Sequence, residues 1–354
     1  MKKMFFLMLI SLVFICPAVA SEPIGIVVNS NTNGFHLINP LTQDISPSLL
    51  KGYLGSYGGG LFDVAFTPDG KTAIISNFGD SMLIFVDISG GFEGTPEILG
   101  TVALSFFAED IAVTPDGKYA LVTDGGFSSA CAIVDIASRT ILTHANLGGN
   151  QAQAVAVSPD GKVVLFADYW NMAIHSYTLA DGVLTFVGSV YPVGCRPVNI
   201  TISPDGKTAI AVDAARYDCP IFAIGTDGGL NHKGNVALPT KSGQSCVFGK
   251  DGSKAYYLSS SYLGGPNVHV INITAPGVGA YAGTVEMSIP RGTSQLFGVD
   301  TLAVDPSGNY LYVSNPTLSG GVVEVTVIDL TTNTEVNQLH CGGIPTGIAF
   351  TTIQ

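Results

Sequence analysis

Short stretches of alternating apolar and polar residues recur along most of this chain, and each ends in the same kind of turn. The pattern is clearest at residues 63–71, which read Asp-Val-Ala-Phe-Thr-Pro-Asp-Gly-Lys. A period of two predicts a half-buried β-strand. Pro, Asp and Gly then predict a tight turn, because Pro fixes φ, Asp bonds nearby backbone and Gly accepts a left-handed conformation. Further copies, the last two weaker, lie at residues 110–118, 154–162, 199–207, 246–252 and 302–308.

The even spacing of these turns defines a structural repeat. The turns are marked by Pro68, Pro115, Pro159, Pro204, Lys250 and Pro306. They follow one another at intervals of 47, 44, 45, 46 and 56 residues. A second strand follows each turn, a third follows a short loop, and a more variable fourth completes the unit. Four antiparallel strands in about 45 residues is the period of a β-propeller blade. We expect the extra length of the fifth interval to lie in loops.

The two ends of the chain carry complementary halves of one more repeat. Residues 24–29 and 34–39 match a second and a third strand, and residues 49–54 are expected to form the fourth. Residues 347–351 match a first strand without its turn. A seventh blade shared by both ends would close the ring and remove the open sheet edges of a solenoid. The sequence therefore predicts an all-β fold, a seven-bladed β-propeller of four-stranded antiparallel blades.

The first twenty residues predict a signal peptide. Lys2 and Lys3 precede an uncharged apolar run at residues 4–16, and residues 18–20, Ala-Val-Ala, offer the small side chains that signal peptidase recognises. We expect cleavage after Ala20, export to the periplasm or the cell surface, and one propeller domain over residues 21–354. A lipid anchor on Cys16 is the alternative. No later stretch is apolar for long enough to predict a transmembrane segment.

Composition narrows the classes of partner. The 354 residues include 43 Gly, only 12% charged residues and a formal charge of −12. Such a chain is a poor match for nucleic acid or anionic membranes, because binding phosphate groups needs Lys and Arg. No two cysteines form a C-x-x-C pair, so structural zinc and haem attachment have no support in the sequence.

The ends of the second strands resemble a known repeat. Residues 75–77 read Ile-Ser-Asn, residues 122–124 Val-Thr-Asp and residues 312–315 Tyr-Val-Ser-Asn, with Val-Ile-Asp-Leu at 327–330. These segments resemble the YVTN-type repeat of bacterial and archaeal surface-layer and periplasmic seven-bladed propellers. The resemblance covers nearly all of residues 24–354 and implies the fold. That family includes surface and periplasmic proteins with no known catalysis, and related propellers act as lactonases or as subunits of periplasmic amine dehydrogenases.

One face of such a propeller carries the loops between second and third strands, and ligand sites usually lie there. An oxygen-bearing residue ends each second strand and should face this mouth. Oxygen ligands suit hard cations, so Ca²⁺ could bind, although no cofactor is required by the sequence. The alternative is that these side chains cap their own loops. The residues are Asn29, Asn77, Asp124, Asp168, Asp213, Ser259 and Asn315.

Departures from the repeat point more directly to function. Trp170, the only Trp in the chain, and Asn171 lie in one loop of this face, and Arg216 lies in the equivalent loop of the next blade. Arg196 enters that same blade. An exposed Trp beside Arg could anchor a protein or a small ligand. The competing interpretation is that Trp170 fills a gap between blades.

Cys195 and Cys219 flank the Arg216 loop. In an oxidising compartment they could form a disulfide that ties the loop down, provided that their Cα atoms lie within about 7 Å.

Catalytic motifs are sparse. The histidines occupy different blades without H-x-H or H-E-x-x-H spacing, and His36, His175 and His269 fall on third strands, where burial is the expected role. No G-x-S-x-G motif is present. First-strand polar residues near the channel could act as acids or bases, or could bond water and backbone there. They are Asp63, Asp110, Asn199 and Asp300.

Three functions fit these observations. The first is an exported, non-catalytic propeller that binds a protein or other ligand through its loop face. The second is a hydrolase of lactonase type with a metal or an acid–base site at the channel mouth. The third is a subunit of a periplasmic redox complex, whose acidic surface would dock a basic electron carrier.

Overall fold

The computed structural model describes residues 22–32, 34–50, 60–126, 130–147, 152–261, 265–288, 301–315 and 324–351. These residues form seven four-stranded antiparallel sheets, which confirms the predicted seven-bladed propeller. The predicted signal peptide, the lipid-anchor alternative at Cys16 and Asp300 lie outside these residues. Within the same ranges there is no helix of the length and apolarity that a membrane span needs.

Strands are numbered in chain order. The chain begins with β1 (Gly25–Asn29), β2 (Gly34–Asn39) and β3 (Asp44–Ile45). Blade 1 contains β4 (Leu61–Phe66), β5 (Thr72–Asn77), β6 (Met82–Asp87) and β7 (Glu97–Ala103). Blade 2 contains β8 (Ala108–Val113), β9 (Tyr119–Asp124), β10 (Ala130–Asp135) and β11 (Thr140–Asn146). Blade 3 contains β12 (Ala152–Val157), β13 (Val163–Asp168), β14 (Ala173–Ala180) and β15 (Val183–Val190).

The second half of the ring follows the same order. Blade 4 contains β16 (Pro197–Ile202), β17 (Thr208–Asp213), β18 (Asp218–Ile224) and β19 (Leu230–Ala237). Blade 5 contains β20 (Gly243–Phe248), β21 (Lys254–Ser261), β22 (Gly265–Ala275) and β23 (Val278–Glu286). Blade 6 contains β24 (Leu302–Val304), β25 (Tyr310–Asn315), β26 (Glu324–Asp329) and β27 (Thr334–His340). The last strand is β28 (Pro345–Phe350).

The two ends of the chain share blade 7, as the sequence predicts. Strand β28 pairs antiparallel with β1, placing Gly25 opposite Phe350. Beside this pair, the Ile24 N–H donates to Thr351 Oγ1 at 3.0 Å, and the Thr351 N–H donates to the Ile24 carbonyl at 2.8 Å. These bonds join residues more than 300 positions apart and close the ring without leaving a sheet edge between the ends of the chain.

The fourth strand of blade 7 differs from the prediction of residues 49–54. A tight turn with Gln43 at φ 59° places β3 against β2 immediately, so the short β3 is the fourth strand. Leu49 pairs with Phe35 only as an isolated bridge, and residues 51–54 lie outside the described residues.

The extra length of the fifth repeat interval is not confined to loops as the sequence led us to expect. Strands β21 and β22 have 8 and 11 residues and remain paired as far as Ser261 and Gly265.

The Pro-Asp-Gly turns form as predicted. In the first one, Asp69 Oδ1 accepts hydrogen bonds from the Thr67 hydroxyl at 2.6 Å and the Lys71 N–H at 3.1 Å. Gly117 of the next copy has φ +70°, and a Cβ there would lie 3.1 Å from Pro68 Cδ. The glycine is therefore needed both for its backbone conformation and for the packing of neighbouring turns.

Apolar side chains fill the space between blades, and the first strands surround the central channel. Two acidic side chains of these strands link neighbouring blades. Asp63 Oδ2 accepts from the Ile111 N–H at 3.1 Å, and Asp110 Oδ2 accepts from the Val155 N–H at 2.7 Å. The sequence analysis left open whether the channel carboxylates act as acids and bases or bond to water and backbone. These contacts show bonding to backbone. The Pro-Asp-Gly turns lie at one end of the blades. The other end carries the loops between second and third strands and the connections between blades, and we call it the loop face.

Candidate functional site

Three of the residues that end second strands, Asp168, Asn77 and Asp124, cap the loops that follow them. Asp168 Oδ1 accepts from the Asn171 N–H at 2.9 Å, and Asp168 Oδ2 accepts from Asn171 Nδ2 at 2.9 Å. Asn77 exchanges equivalent bonds with Asp80, and Asp124 Oδ1 accepts from the Gly126 N–H at 2.7 Å. This is the geometry of the capping alternative. Asn171 accordingly acts within the loop.

No cation site emerges from these caps. Among the described residues, no three His, Cys, Asp or Glu side chains converge as metal ligands would. Asn315 ends β25, but its side chain lies outside what the structure describes. Ca²⁺ binding at this mouth therefore stays a prediction.

Tyr169, Trp170 and Arg196 form an exposed corner of the loop face between blades 3 and 4, which we call the Trp170 corner. The Tyr169 and Trp170 rings meet edge to face, with centroids 5.1 Å apart and planes at 86°. The Arg196 Cζ lies 5.2 Å from the Tyr169 centroid and 6.0 Å from that of Trp170. Trp170 is 46% exposed, so almost half of its surface faces solvent.

Blade 4 holds Arg196 in place through its backbone. The Arg196 N–H donates to Asp213 Oδ1 at 3.2 Å, and its carbonyl accepts from the Ala214 N–H at 3.1 Å. Among the described residues the Arg196 guanidinium forms no ion pair. Its backbone is therefore fixed, and within the described residues its guanidinium contacts two aromatic rings and no carboxylate.

Arg216 has a different role from the one the sequence suggests. Its Nε and Nη2 donate to the two carboxylate oxygens of Asp218 at 3.1 and 3.2 Å, and its Nη1 donates to the Val193 carbonyl at 2.7 Å. These contacts engage the guanidinium and fix the connection between blades 3 and 4. That connection presents Tyr191 and Val193, which are 63% and 87% exposed, beside the guanidinium.

Cys195 and Cys219 do not form the predicted disulfide. The Cys195 thiol is buried near the Asp213 carboxyl, whereas Cys219 lies in β18 and packs in the apolar cluster between blades 4 and 5. The thiols therefore face different surroundings. Burial raises the pKa of both, and that of Cys131 to about 12, which makes all three poor nucleophiles.

Glu109, which the sequence analysis missed, lies at the channel mouth. It is 4% exposed, its Oε1 accepts from Gln153 Nε2 at 3.4 Å, and its Oε2 has no hydrogen-bond partner among the described residues. Burial raises the pKa of Glu109 well above its ordinary value, and the charges of Asp124 and Asp63 raise it further. The signal available in the sequence was a carboxyl directly before Asp110, where the first copy has Phe62.

An aromatic stack adjoins this carboxyl. Phe78 lies between Phe62 and Phe107, with ring centroids 4.7 and 4.9 Å away. A Cβ on Gly125 would come within 2.6 Å of Phe78 Cε2 and 2.7 Å of Glu109 Oε2. The ring edge and the acid therefore meet at one glycine, and Phe107, which is 47% exposed, marks the surface above them.

Comparisons with known proteins identify the architecture. No family model and no curated protein matches the chain. A functionally unknown protein from Desulfotomaculum acetoxidans is similar at a TM-score of 0.80 with 20% identity, covering 94% of this chain and 99% of that one. Hydrazine synthase from Kuenenia stuttgartiensis is similar at 0.67 with 23% identity, covering 82% and 89%. A periplasmic gluconolactonase from Pseudomonas aeruginosa is similar at 0.70 with 15% identity, covering 94% and 100%. At these identities the likeness establishes a β-propeller and leaves the function to the site.

Proposed function

We propose that this protein is an exported β-propeller that binds a partner protein through its loop face, with the Trp170 corner as the anchor. The observation that carries the proposal is a half-exposed Trp beside an Arg without an ion pair among the described residues. Trp, Tyr and Arg are the residue types that dominate binding energy in protein interfaces.

The construction of the corner supports this role. Arg196 is positioned by Asp213 and Ala214 before any partner arrives, so little backbone freedom is lost on binding. Tyr191 and Val193, which precede Arg196 in the connection between blades 3 and 4, are also exposed. Export rests on the predicted signal peptide.

Affinity capture tests the proposal. The tagged protein would be incubated with the exported fraction of the cells that produce it, beside Trp170→Ala and Arg196→Ala variants. Phe186→Ala is the matched control, because Phe186 is 56% exposed but lies within β15 on the outer strand. We expect a partner that the wild type and the control retain and that both corner variants lose by about tenfold or more. Equal recovery by all four proteins would contradict the proposal.

A lactonase is the second candidate, favoured by Glu109. A buried carboxyl with a raised pKa keeps its proton to higher pH than an ordinary glutamic acid and can donate that proton to the oxygen that leaves when a lactone ring opens. The gluconolactonase similarity agrees with this chemistry, although at 15% identity it concerns the fold.

Hydrolysis of glucono-δ-lactone, followed by pH-stat titration, separates this candidate from the first. A lactonase would exceed the spontaneous rate, and Glu109→Gln would lower the enzymatic rate about 100-fold. Glu97→Gln, at an exposed acid of blade 1, should leave it unchanged. A wild-type rate equal to the spontaneous rate would eliminate the lactonase and leave the binding proposal standing.

A further inference from the structure

A hydrogen-bonded chain of carboxylate, imidazole and hydroxyl crosses blade 3 behind the Trp170 corner. Asp168 Oδ2 lies 3.1 Å from His175 Nε2, and His175 Nδ1 lies 2.7 Å from Ser189 Oγ. The three residues belong to the neighbouring strands β13, β14 and β15, so the sheet itself fixes their order. Nucleophilic catalysis by serine requires an acid, a base and a hydroxyl in this order.

Asp168 determines which imidazole nitrogen carries the proton. Burial alone would raise the pKa of Asp168, but hydrogen bonds from His175 and Asn171 outweigh it and hold the pKa below its ordinary value. An ionised carboxylate can only accept, so His175 Nε2 carries the hydrogen and donates it. His175 Nδ1 then presents its lone pair to the Ser189 hydroxyl, which is the position of a general base.

Two other blades place a histidine at the same register without this chemistry. His269 pairs with Tyr257 as His175 pairs with Phe166, but its nitrogens contact the hydroxyls of Ser259 and Thr284, at 3.0 and 2.9 Å. In blade 7, His36 Nδ1 lies 2.7 Å from the Ser46 carbonyl. The bridge across second, third and fourth strands is therefore shared by blades 3 and 5, whereas in blade 7 the His36 Nε2 has no hydrogen-bond partner among the described residues. Blade 3 adds a carboxylate on one nitrogen and a hydroxyl on the other.

The Ser189 hydroxyl is also within reach of a small molecule. Ser189 is partly exposed on β15, the outer strand of the blade. Tyr191, two residues further along the chain, is 63% exposed. The outer strand therefore reaches solvent close to the nucleophile.

We propose that Ser189 and His175 form a nucleophilic site for small carboxylic esters, with Asp168 as the residue that positions His175. The Ser189 Oγ bonds to the ester carbonyl carbon while its proton passes to His175 Nδ1. The bond from that carbon to the alkoxy oxygen breaks, and the alcohol leaves with the proton from His175. Water then attacks the acyl-serine, passing its proton to His175, and the acid is released as Ser189 recovers its hydrogen.

Covalent labelling tests the site without requiring its natural substrate. The intact protein would be treated with a fluorophosphonate probe and, separately, with p-nitrophenyl acetate, and the adducts located by peptide mass spectrometry. We expect both reagents to modify Ser189. Ser189→Ala should abolish the adduct, and His175→Gln should slow its formation about 100-fold. Absence of a Ser189 adduct with both reagents would overturn the proposal.

Thr284 in blade 5 provides the matched control, since it contacts a histidine that lacks the acid. Thr284→Ala should leave the Ser189 labelling rate unchanged, and Thr284 itself should stay unmodified. Asp168→Asn tests positioning: the Ser189 labelling rate should fall about tenfold, because an amide no longer fixes the hydrogen on His175 Nε2, and Asp168→Glu, which keeps a carboxylate acceptor, should recover part of the rate. Labelling that is equal at Ser189 and Thr284, or a Ser189 rate unchanged by His175→Gln, would show ordinary hydroxyl reactivity and contradict the inference.

Discussion

Two buried carboxyl groups on the loop face have opposite electrostatics. Asp168 in blade 3 is 1% exposed and Glu109 at the channel mouth 4%, yet the pKa of Asp168 lies below its ordinary value and that of Glu109 well above. Asp168 receives hydrogen bonds from His175 and both nitrogens of Asn171, whereas Glu109 receives one long bond and faces other acids. Burial alone therefore does not set the charge of a buried acid. The hydrogen-bond donors and the neighbouring charges around it contribute as well.

The largest effect should come from removing the well-bonded acid. Asp168→Ala leaves His175 and Asn171 without their acceptor in a buried site, and we expect the free energy of unfolding to fall by about 3 kcal/mol. Urea denaturation would measure it. The control is Asp135→Ala, which removes an exposed cap of Ser138 and should cost less than about 1 kcal/mol. Equal losses at both positions would contradict the contrast.

A buried histidine without a carboxylate should show its own pH dependence. Burial lowers the pKa of His269 to about 4. Below pH 6.5 the unfolded chain binds a proton that the folded protein resists, so stability falls with decreasing pH and levels off near pH 4. We expect a loss of about 3 kcal/mol over this window. His269→Gln should flatten the curve measured by urea denaturation between pH 4 and 7, and an unchanged curve would contradict the assignment.

The smallest expected effect comes from replacing Glu109, the acid with few hydrogen bonds. This replacement should stabilise the protein, whereas Asp168→Ala should destabilise it. The pKa of Glu109 is higher in the folded protein than in the unfolded chain. Protonated Glu109 therefore stabilises the folded protein fully at pH values below the ordinary pKa of a glutamic acid, and this stabilisation is lost as the pH rises through the pKa of Glu109 in the folded protein. Glu109→Gln should therefore stabilise the protein by about 1 kcal/mol at pH 7 and leave stability below pH 4 unchanged. Thermal unfolding at both pH values tests this prediction. Glu97→Gln is the control and should leave the unfolding temperature unchanged at both. Destabilisation at pH 7 would show that the charged form is the favoured one.

Features that repeat along the chain could be predicted from the sequence. The same residue pattern occurs in six copies of the repeat, and each copy predicts the same turn and strands. This repetition made it possible to predict the Pro-Asp-Gly turns, the antiparallel strands and the closure by β1 and β28. The loop caps at Asp168 and Asn77 could be anticipated for the same reason, since each blade needs the same turn.

Features that occur once could not be predicted in this way. Whether Arg216 meets Asp218 or solvent, and whether Cys195 meets Cys219 or Asp213, depends on side-chain directions that strand periodicity does not specify. The Asp168–His175–Ser189 chain depends on cross-strand register within blade 3. The prediction for the fourth strand of blade 7 was wrong because Gln43 adopts a left-handed backbone conformation and allows a tight turn. The sequence has no Gly at this position that would have indicated such a turn.

Site-specific photo-crosslinking in the producing cells tests the central claim, binding through the Trp170 corner, most directly. A benzophenone amino acid would replace Trp170 in one protein and Phe186 in another, and both would be irradiated in place. Our account predicts a discrete crosslinked protein from position 170, diminished by Arg196→Ala in the same chain, and none from position 186. No adduct at position 170, or the same adducts from both positions, would contradict it.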